Sequence, residues 1–400
     1  MRTKRIILYA AVAGMFLAAG CGQSQMDKNR EDARQRWAES RAEMMLKLAE
    51  GAYEEGNLGR ARQYVEEITR AGIPYAPVYV LAARLAAEME DLEQALDYAQ
   101  AAKAVDPESP EARYVLGTIQ QTMGRERDAL DEFAGAVELS PDVPRYALAE
   151  AEMLVAAGQA EAAARCLAEA AERMPGRADV HAALGDVRSF LGRHEEAAGS
   201  FRVALRLDPK EEGPKERLAM ALFYSGACDE AERVLAELAE SEPHFAAGWV
   251  RQMRADCLLA LGRTGEARAF YQRQTGGAVA TSRSLIALAQ CDIIEDRLAS
   301  ARTFLEKVLA AHSQDAEANA LMGYVLLAEG RLGEAVSHLK LALKDPSCSN
   351  RGTVEWLLAR AEGRPVPPPS ARAAPPAAAT LKDTEPRDGP YTLAKPVNTS

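Results

Sequence analysis

Five prolines recur at a constant interval, and this interval constrains the fold more than any other feature of the sequence. Pro107, Pro141, Pro175, Pro209 and Pro243 lie 34 residues apart. An alanine precedes each proline by 12 residues, and this alanine series extends to nine members: Ala61, Ala95, Ala129, Ala163, Ala197, Ala231, Ala267, Ala301 and Ala335. The single longer step, 36 residues after Ala231, predicts a two-residue insertion near residues 243–247. A fixed period of this length predicts stacked structural repeats rather than one globular core.

The composition favours helices throughout these repeats. Ala, Leu, Glu and Arg are abundant, and aromatic residues make up only 6% of the chain, so a sheet has little to build on. The net charge of −11 argues against a nucleic-acid partner, which requires a basic surface to replace phosphate counterions. We therefore expect an all-α fold and no nucleic-acid binding.

Other positions repeat in register with the prolines. The eighth residue of each unit is small, which lets two helices approach closely: Ala49, Ala83, Gly117, Ala151, Gly185, Ala219, Ala255, Ala289 and Gly323. A glycine suited to a left-handed C-cap follows the first helix in seven units: Gly56, Gly124, Gly158, Gly192, Gly226, Gly262 and Gly330. Glu90 and Asp296 stand at this place in the other two units. Large residues are predicted to fill the space between second helices: Phe133, Leu167, Phe201, Leu235, Tyr271, Leu305 and Leu339.

This pattern resembles the tetratricopeptide repeat over residues 42–349, in nine units that begin at 42, 76, 110, 144, 178, 212, 248, 282 and 316. The resemblance implies a right-handed α-solenoid of helix-turn-helix repeats. Residues 350–363, with a helix at Thr353 to Ala361, are expected to cap the last repeat. Proline and alanine dominate residues 364–400, which we expect to be a disordered tail, either a spacer or a recognition segment.

The N-terminus predicts an exported, lipid-anchored protein. Arg2, Lys4 and Arg5 precede an apolar stretch too short to span a bilayer, and small residues lead into Cys21. Residues 1–20 therefore resemble a bacterial lipoprotein signal peptide, although ordinary cleavage after a small residue is the alternative. The resemblance implies acyl chains, palmitate among them, on Cys21 and a tether over residues 21–41. Gly22 favours the outer membrane, with the repeats facing the periplasm.

No residue constellation indicates catalysis or metal binding. The five histidines are scattered among the repeats without ligand spacing, and the sequence has no phosphate-binding loop or nucleophile elbow. We expect no enzyme activity, no cofactor and no small-molecule substrate. The cysteines after Cys21 show no disulfide framework, although a bridge between Cys257 and Cys291, at equivalent places in adjacent repeats, stays open.

The resemblance places the binding surface of each repeat at positions 2, 5, 9, 12 and 13 of the first helix. In repeats one to four these positions are mostly acidic or polar. In repeats five to nine they are largely apolar, and we predict them to form a protein-binding groove: Phe190, Met220, Phe223, Tyr224, Trp249, Leu259, Ile286, Ile293, Ile294 and Tyr324. Burial of this apolar stripe in the core is the alternative. Tetratricopeptide clamps for a C-terminal carboxylate use Lys, Asn and Arg here, so we expect an apolar partner segment instead.

The combined expectation is a non-catalytic scaffold, anchored by lipid in the cell envelope, that binds other envelope proteins or peptides. Similar lipoproteins assist polysaccharide export, exosortase-linked matrix systems and pilus or secretin assembly. Two alternatives stay open: an envelope enzyme of the lytic-transglycosylase kind and a self-assembling structural solenoid.

Overall fold

The computed structural model describes residues 29–30, 33–34, 36–37, 40–70, 74–211, 213–241, 248–275, 281–346, 348 and 351–365. Residues 1–28, with the signal-like segment and Cys21, lie outside this part of the chain, as do residues 243–247 and the tail beyond residue 365. All regular secondary structure in the described residues is α-helical. The prediction of an all-α fold is therefore confirmed.

The helices follow one another in pairs. In chain order they are α1 (40–54), α2 (Leu58–Arg70), α3 (Ala76–Glu88), α4 (Leu92–Val105), α5 (Pro110–Thr122), α6 (Glu126–Leu139), α7 (Pro144–Ala156), α8 (Ala160–Arg173), α9 (Ala178–Phe190), α10 (His194–Leu207), α11 (Gly213–Ser225), α12 (Cys228–Ser241), α13 (Gly248–Ala260), α14 (Thr264–Thr275), α15 (Ser282–Ile294), α16 (Leu298–Ala311), α17 (Ala316–Ala328), α18 (Leu332–Ala342) and α19 (Arg351–Ala361). The odd-numbered helices α3 to α17 begin at, or one residue after, the start of a repeat unit. The hairpins stack as an α-solenoid, in the register that the 34-residue period predicts.

The described chain divides into two compact units, with the boundary inside α8. Unit 1 extends to Cys166, and unit 2 begins at Leu167. In each unit a helix packs on the next one along the chain, and alternate helices also touch, as α3 touches α5 in unit 1 and α15 touches α17 in unit 2. In these pairs the first helices of neighbouring hairpins contact each other directly.

The repeated prolines and glycines mark the helix ends. Pro107, Pro141, Pro175 and Pro209 each lie two residues beyond the last residue of a second helix, where a missing N–H and a fixed φ stop the helix. The seven predicted turn glycines all adopt positive φ, between 71° and 84°. Glu90 and Asp296 adopt the same left-handed conformation, with φ of 63° and 56°. The turn geometry is thus kept even where glycine is absent.

The interior consists of small residues facing large ones. Every alanine of the 34-residue series is fully buried, and so are the large residues that begin with Phe133 and end with Leu339. A Cβ added to Gly185 would lie 2.5 Å from the Phe201 ring, and one added to Gly323 would lie 2.5 Å from Leu339 Cγ. The small eighth position therefore lets the two helices of a hairpin approach closely, as predicted, and the large residue of the second helix packs against it.

The final helix covers the end of the last hairpin. Val354, Leu357 and Leu358 of α19 are buried in the same apolar cluster as Met322 and Leu339 of α17 and α18. Without α19, this apolar surface would face water. The helix has the position expected for a cap, although it begins two residues earlier than Thr353.

Candidate functional site

The first helices of unit 2, α9, α11, α13, α15 and α17, carry all ten residues of the predicted groove. Positions 2, 5, 9, 12 and 13 lie on one side of such a helix because an α-helix turns once in 3.6 residues. Four of the ten side chains are exposed, although they are large and apolar: Phe190 (64%), Ile294 (54%), Tyr324 (41%) and Trp249 (36%). These four residues, named the apolar face below, are available for contact with another molecule.

Three further residues of the predicted groove are half-buried. Met220 and Tyr224 pack against the apolar cluster formed by α10 to α13, and the Tyr224 ring lies 5.2 Å from that of His194. Ile293 packs against the cluster formed by α15 to α19. These side chains join the exposed residues to the interior and limit how far the surrounding surface can deform.

Phe223, Leu259 and Ile286 are buried, so the prediction that they line an open groove is wrong. Each belongs to an apolar cluster that includes the next first helix: Phe223 with Val250, Leu259 with Leu288, and Ile286 with Met322. The physical reason is the close stacking of first helices. The side of each helix that turns toward its neighbour is covered by it, and positions 5 and 12 lie on that side.

Polar contacts also join neighbouring first helices, and the two partners of each contact are 27 residues apart, at position 9 of one repeat and position 2 of the next. In unit 2 Arg283 donates to Asp256 at 2.6 Å, and Gln290 donates to Glu317 at 2.9 Å. In unit 1 Arg84 pairs with Glu111 in the same way. The sequence analysis missed these contacts, although complementary side chains 27 residues apart were a visible signal.

Asp256 is the most connected of these polar residues. Its carboxylate is buried and accepts hydrogen bonds from Gln252, Arg283 and the hydroxyl of Tyr271. Burial, together with the adjacent carboxylate, raises the pKa of Tyr271 far above its usual range, so the hydroxyl keeps its proton. This network fixes α13, the helix that carries Trp249, against α14 and α15.

Asp186 of α9 departs from the 27-residue pattern. The residue at position 2 of the next repeat is Gly213, which has no side chain to offer, and Arg217 of α11 donates instead to Oδ2 at 2.5 Å. Oδ1 is buried, and no hydrogen-bond partner reaches it within the described chain. Burial, opposed by Arg217, raises the pKa of Asp186 to about 6. A buried carboxyl group with a raised pKa therefore lies one helical turn from Phe190.

The first-helix face of unit 1 is polar and internally paired. Glu111 accepts from Arg84, Arg145 and the hydroxyl of Tyr146. The Arg145 guanidinium also lies 5.4 Å from the centre of the Tyr114 ring and 5.1 Å from that of Tyr146. Burial raises the pKa of both tyrosines, which stay neutral. Glu111 of this face is thus paired with neighbouring side chains, whereas the four side chains of the apolar face in unit 2 are exposed to solvent.

The family model described as "Tetratricopeptide repeat" matches residues 80–144, 148–212, 216–278 and 295–347, which is more than half of the chain. The chain belongs to the tetratricopeptide repeat family. Its repeats support a role as a protein–protein interaction scaffold, with partners that are proteins or peptides. A comparison with curated proteins found no match.

Several solved structures are similar to parts of this tetratricopeptide repeat protein. YrrB, described as "a TPR protein with an unusual peptide-binding site", is 20% identical with a TM-score of 0.39, and the match covers 45% of this chain and 92% of YrrB. A tetratricopeptide repeat protein from Parabacteroides merdae is 18% identical, with a TM-score of 0.40 and coverage of 63% and 98%. MamA from Desulfovibrio magneticus is 19% identical, with a TM-score of 0.37 and coverage of 41% and 93%.

Within the described residues, His, Cys, Asp and Glu side chains nowhere gather into a set of three that could ligate a metal ion. The same part of the chain holds no helix with the length and apolar character needed to cross a bilayer. The chemistry that this tetratricopeptide repeat protein displays is that of a contact surface: large apolar side chains set among charged groups that are already paired.

Proposed function

We propose that this protein is a non-catalytic scaffold that holds an apolar segment of another envelope protein on the first helices of unit 2. The observation that carries the proposal is the exposure of Phe190, Trp249, Ile294 and Tyr324 at face positions of four repeats. Large apolar side chains exposed together on a rigid surface mark protein-binding sites, because burying them on binding releases water.

The chemistry around these side chains favours an apolar partner segment with basic flanks. The whole chain carries a net charge of −11, and Asp186 and Glu317 lie on the same first helices as Phe190 and Tyr324. An acidic peptide would be repelled, whereas a segment with two or three large apolar residues could place them over the exposed rings and leave its cations near the carboxylates. Salt should therefore slow association more than it speeds dissociation.

The rigidity of the surface supports the same function. The polar contacts between α13, α15 and α17 and the half-buried Met220, Tyr224 and Ile293 fix the first helices before a partner arrives. A preformed surface avoids the entropy cost of ordering loops on binding. Binding should thus occur without a large change in helical content.

The proposal includes the location of the scaffold. Acylation of Cys21 would leave the repeats tethered by residues 21–41 on the periplasmic side of a membrane, with the outer membrane favoured by Gly22. Two acyl chains hold a protein stably on a membrane, whereas one does so only reversibly. From that position the repeats would bring a partner beside the membrane while an envelope structure is assembled or exported.

Photocrosslinking from the apolar face tests this function. A photoreactive amino acid is placed singly at positions 190, 294 and 324 of the full chain in cells, and the crosslinked segments are identified by mass spectrometry. The matched controls are positions 207, 261 and 332, which hold exposed leucines outside the face positions. The proposal predicts that one apolar segment of another protein crosslinks to the face positions and not to the controls.

Other products would contradict it. Equal crosslinking from face and control positions would show nonspecific contact. A second copy of this chain at the face positions would indicate a self-assembling solenoid, and residues 366–400 of the same chain there would indicate that its own tail occupies the face.

A further inference from the structure

Cys228 and Cys257 lie together in the interior of unit 2. Cys228 is the first residue of α12, and Cys257 lies near the end of α13, the helix that packs against α12. Both side chains are buried, and both belong to the apolar cluster that contains Leu235 and Val250. The two thiols are therefore enclosed by the same set of side chains and held on helices that do not move independently.

Each thiol also shifts the ionisation of the other. The Cys257 thiol lowers the pKa of Cys228 to about 7, helped by the backbone N–H at the start of α12. The Cys228 thiol, together with burial, raises the pKa of Cys257 well above its usual range. The arrangement is asymmetric: one sulfur readily carries negative charge, and the other keeps its proton. A thiol near a helix N-terminus with a lowered pKa has the character of an attacking thiolate.

The geometry points to a disulfide between Cys228 and Cys257, formed when the chain meets a disulfide-bearing oxidant. The bridge would tie α12 to α13 and close a loop of about 30 residues by its sequence separation. Residues 243–247, near which the two-residue insertion is predicted, lie within that loop. Trp249 of the apolar face lies two residues beyond them, so the bridge would fix the helix that presents it.

The reaction is a pair of thiol–disulfide exchanges. The Cys228 thiolate attacks one sulfur of the oxidant, forms a mixed disulfide and releases the other sulfur as a thiolate that takes up a proton. Cys257 then loses its proton to solvent and attacks the Cys228 sulfur, which releases the second oxidant thiol. The two protein thiols lose two electrons and two protons, and the oxidant's disulfide becomes two thiols.

The pairing differs from the one that equivalent repeat positions suggested. Cys291 lies in a different apolar cluster, with Tyr271 and Leu288. Burial is the main cause of its raised pKa, and Arg268 opposes it. Cys228 and Cys257 share one apolar cluster on the packed helices α12 and α13, so Cys228 replaces Cys291 as the partner of Cys257.

Peptide mapping of the full chain carrying Cys21→Ser tests the inference. The chain is incubated with oxidised glutathione, both folded and during refolding, then denatured, alkylated and digested with trypsin. Arginines separate residues 218–233, 255–263 and 284–297, so the three cysteines fall in different peptides. The expected product joins the peptides of Cys228 and Cys257, two hydrogen masses lighter than their sum, with Cys291 alkylated. Cys291→Ala should keep this product, and Cys257→Ala should lose it.

A melt with and without reductant gives the second readout. Reduction should lower the melting temperature of the oxidised chain, and the difference should vanish in Cys228→Ala. Full alkylation of Cys228 and Cys257 after both treatments would overturn the inference, and so would a product joining Cys257 to Cys291.

Discussion

The Phe201 ring fills the space that a Cβ on Gly185 would need, because that atom would lie 2.5 Å from the ring edge. The two residues are 16 positions apart, one on each helix of the α9–α10 hairpin. In the next hairpin the equivalent residues are Ala219 and Leu235, both fully buried. The hairpin therefore tolerates either a glycine facing a phenylalanine or an alanine facing a smaller residue.

Gly185→Ala should destabilise unit 2 by about 1–3 kcal/mol, since overpacking forces the Phe201 ring from its position. Gly199→Ala is the matched control: it lies in α10 with no atom within 4 Å of an added Cβ, and it should stabilise by about 0.5–1 kcal/mol. The measurement is the thermal melt together with hydrogen exchange of the α9–α10 amides.

Phe201→Leu in the Gly185→Ala background should restore part of the lost stability, because the pair then matches Ala219 and Leu235. If Gly185→Ala and Gly199→Ala gave the same change in stability, close approach would not be the reason for the small residue at position 8.

Glu90 occupies a left-handed backbone conformation in the turn between α3 and α4, with φ of 63°. An L-residue with a Cβ pays about 1–2 kcal/mol for this conformation, whereas glycine adopts it freely. Glu90→Gly should therefore slow hydrogen exchange in the α3–α4 hairpin. Gly124→Ala, at the equivalent turn between α5 and α6, should speed hydrogen exchange in the α5–α6 hairpin. Faster exchange in Glu90→Gly would show that the glutamate side chain outweighs the backbone cost.

Asp186 should make the stability of unit 2 depend on pH. Burial raises the pKa of Asp186 to about 6 from 3.8, so the folded chain binds a proton that the unfolded chain has lost between these values. The contribution of Asp186 to the free energy of unfolding is complete below pH 3.8, and it is lost as the pH rises through 6. This pKa shift corresponds to at most about 3 kcal/mol in the free energy of unfolding.

The check is to compare the wild type with Asp186→Asn in urea at several pH values between 4 and 7. The stability of the wild type relative to the variant should rise as the pH falls through 6, with Arg217 and Glu211 present in both. A difference that does not change with pH would show that Asp186 keeps an ordinary pKa in the folded chain.

Much of the fold could be predicted because the chain repeats its constraints. The buried alanines, the positive-φ turns and the pairing of Gly185 with Phe201 all follow from a 34-residue period. The binding face was harder to predict. Phe223 and Tyr224 are adjacent in sequence, yet one is buried and the other half-exposed, because a step of one residue rotates a helix by about 100°. Which of the two side chains becomes buried depends on how the next hairpin is aligned against α11.

Contacts between repeats were missed for a related reason. The thiols of Cys228 and Cys257 share one apolar cluster but stand at non-equivalent repeat positions, so the equivalence of the repeats indicated Cys291 instead. The unsatisfied Oδ1 of Asp186 depends on a glycine at residue 213, and its effect is visible only when the two helices are placed side by side.

The lipid anchor predicts a simple labelling result. Cys21→Ser should abolish incorporation of a fatty-acid label and release the chain from the membrane fraction, because Cys21 is the proposed acylation site. Cys166→Ser, at another cysteine that is not fully buried, is the control and should label like the wild type. Labelling that persists in Cys21→Ser would contradict the lipoprotein assignment.

The most direct test of the central claim compares partner capture with folding in two triple variants. Phe190→Ala, Ile294→Ala and Tyr324→Ala together remove three exposed side chains of the apolar face. Leu207→Ala, Leu261→Ala and Leu332→Ala remove three exposed apolar side chains elsewhere in unit 2. The account predicts that the first variant loses the envelope segment identified by crosslinking, at about 2 kcal/mol or more for each hot-spot residue, with an unchanged melting temperature. The second should bind and melt like the wild type. Full binding by the first variant would contradict the account.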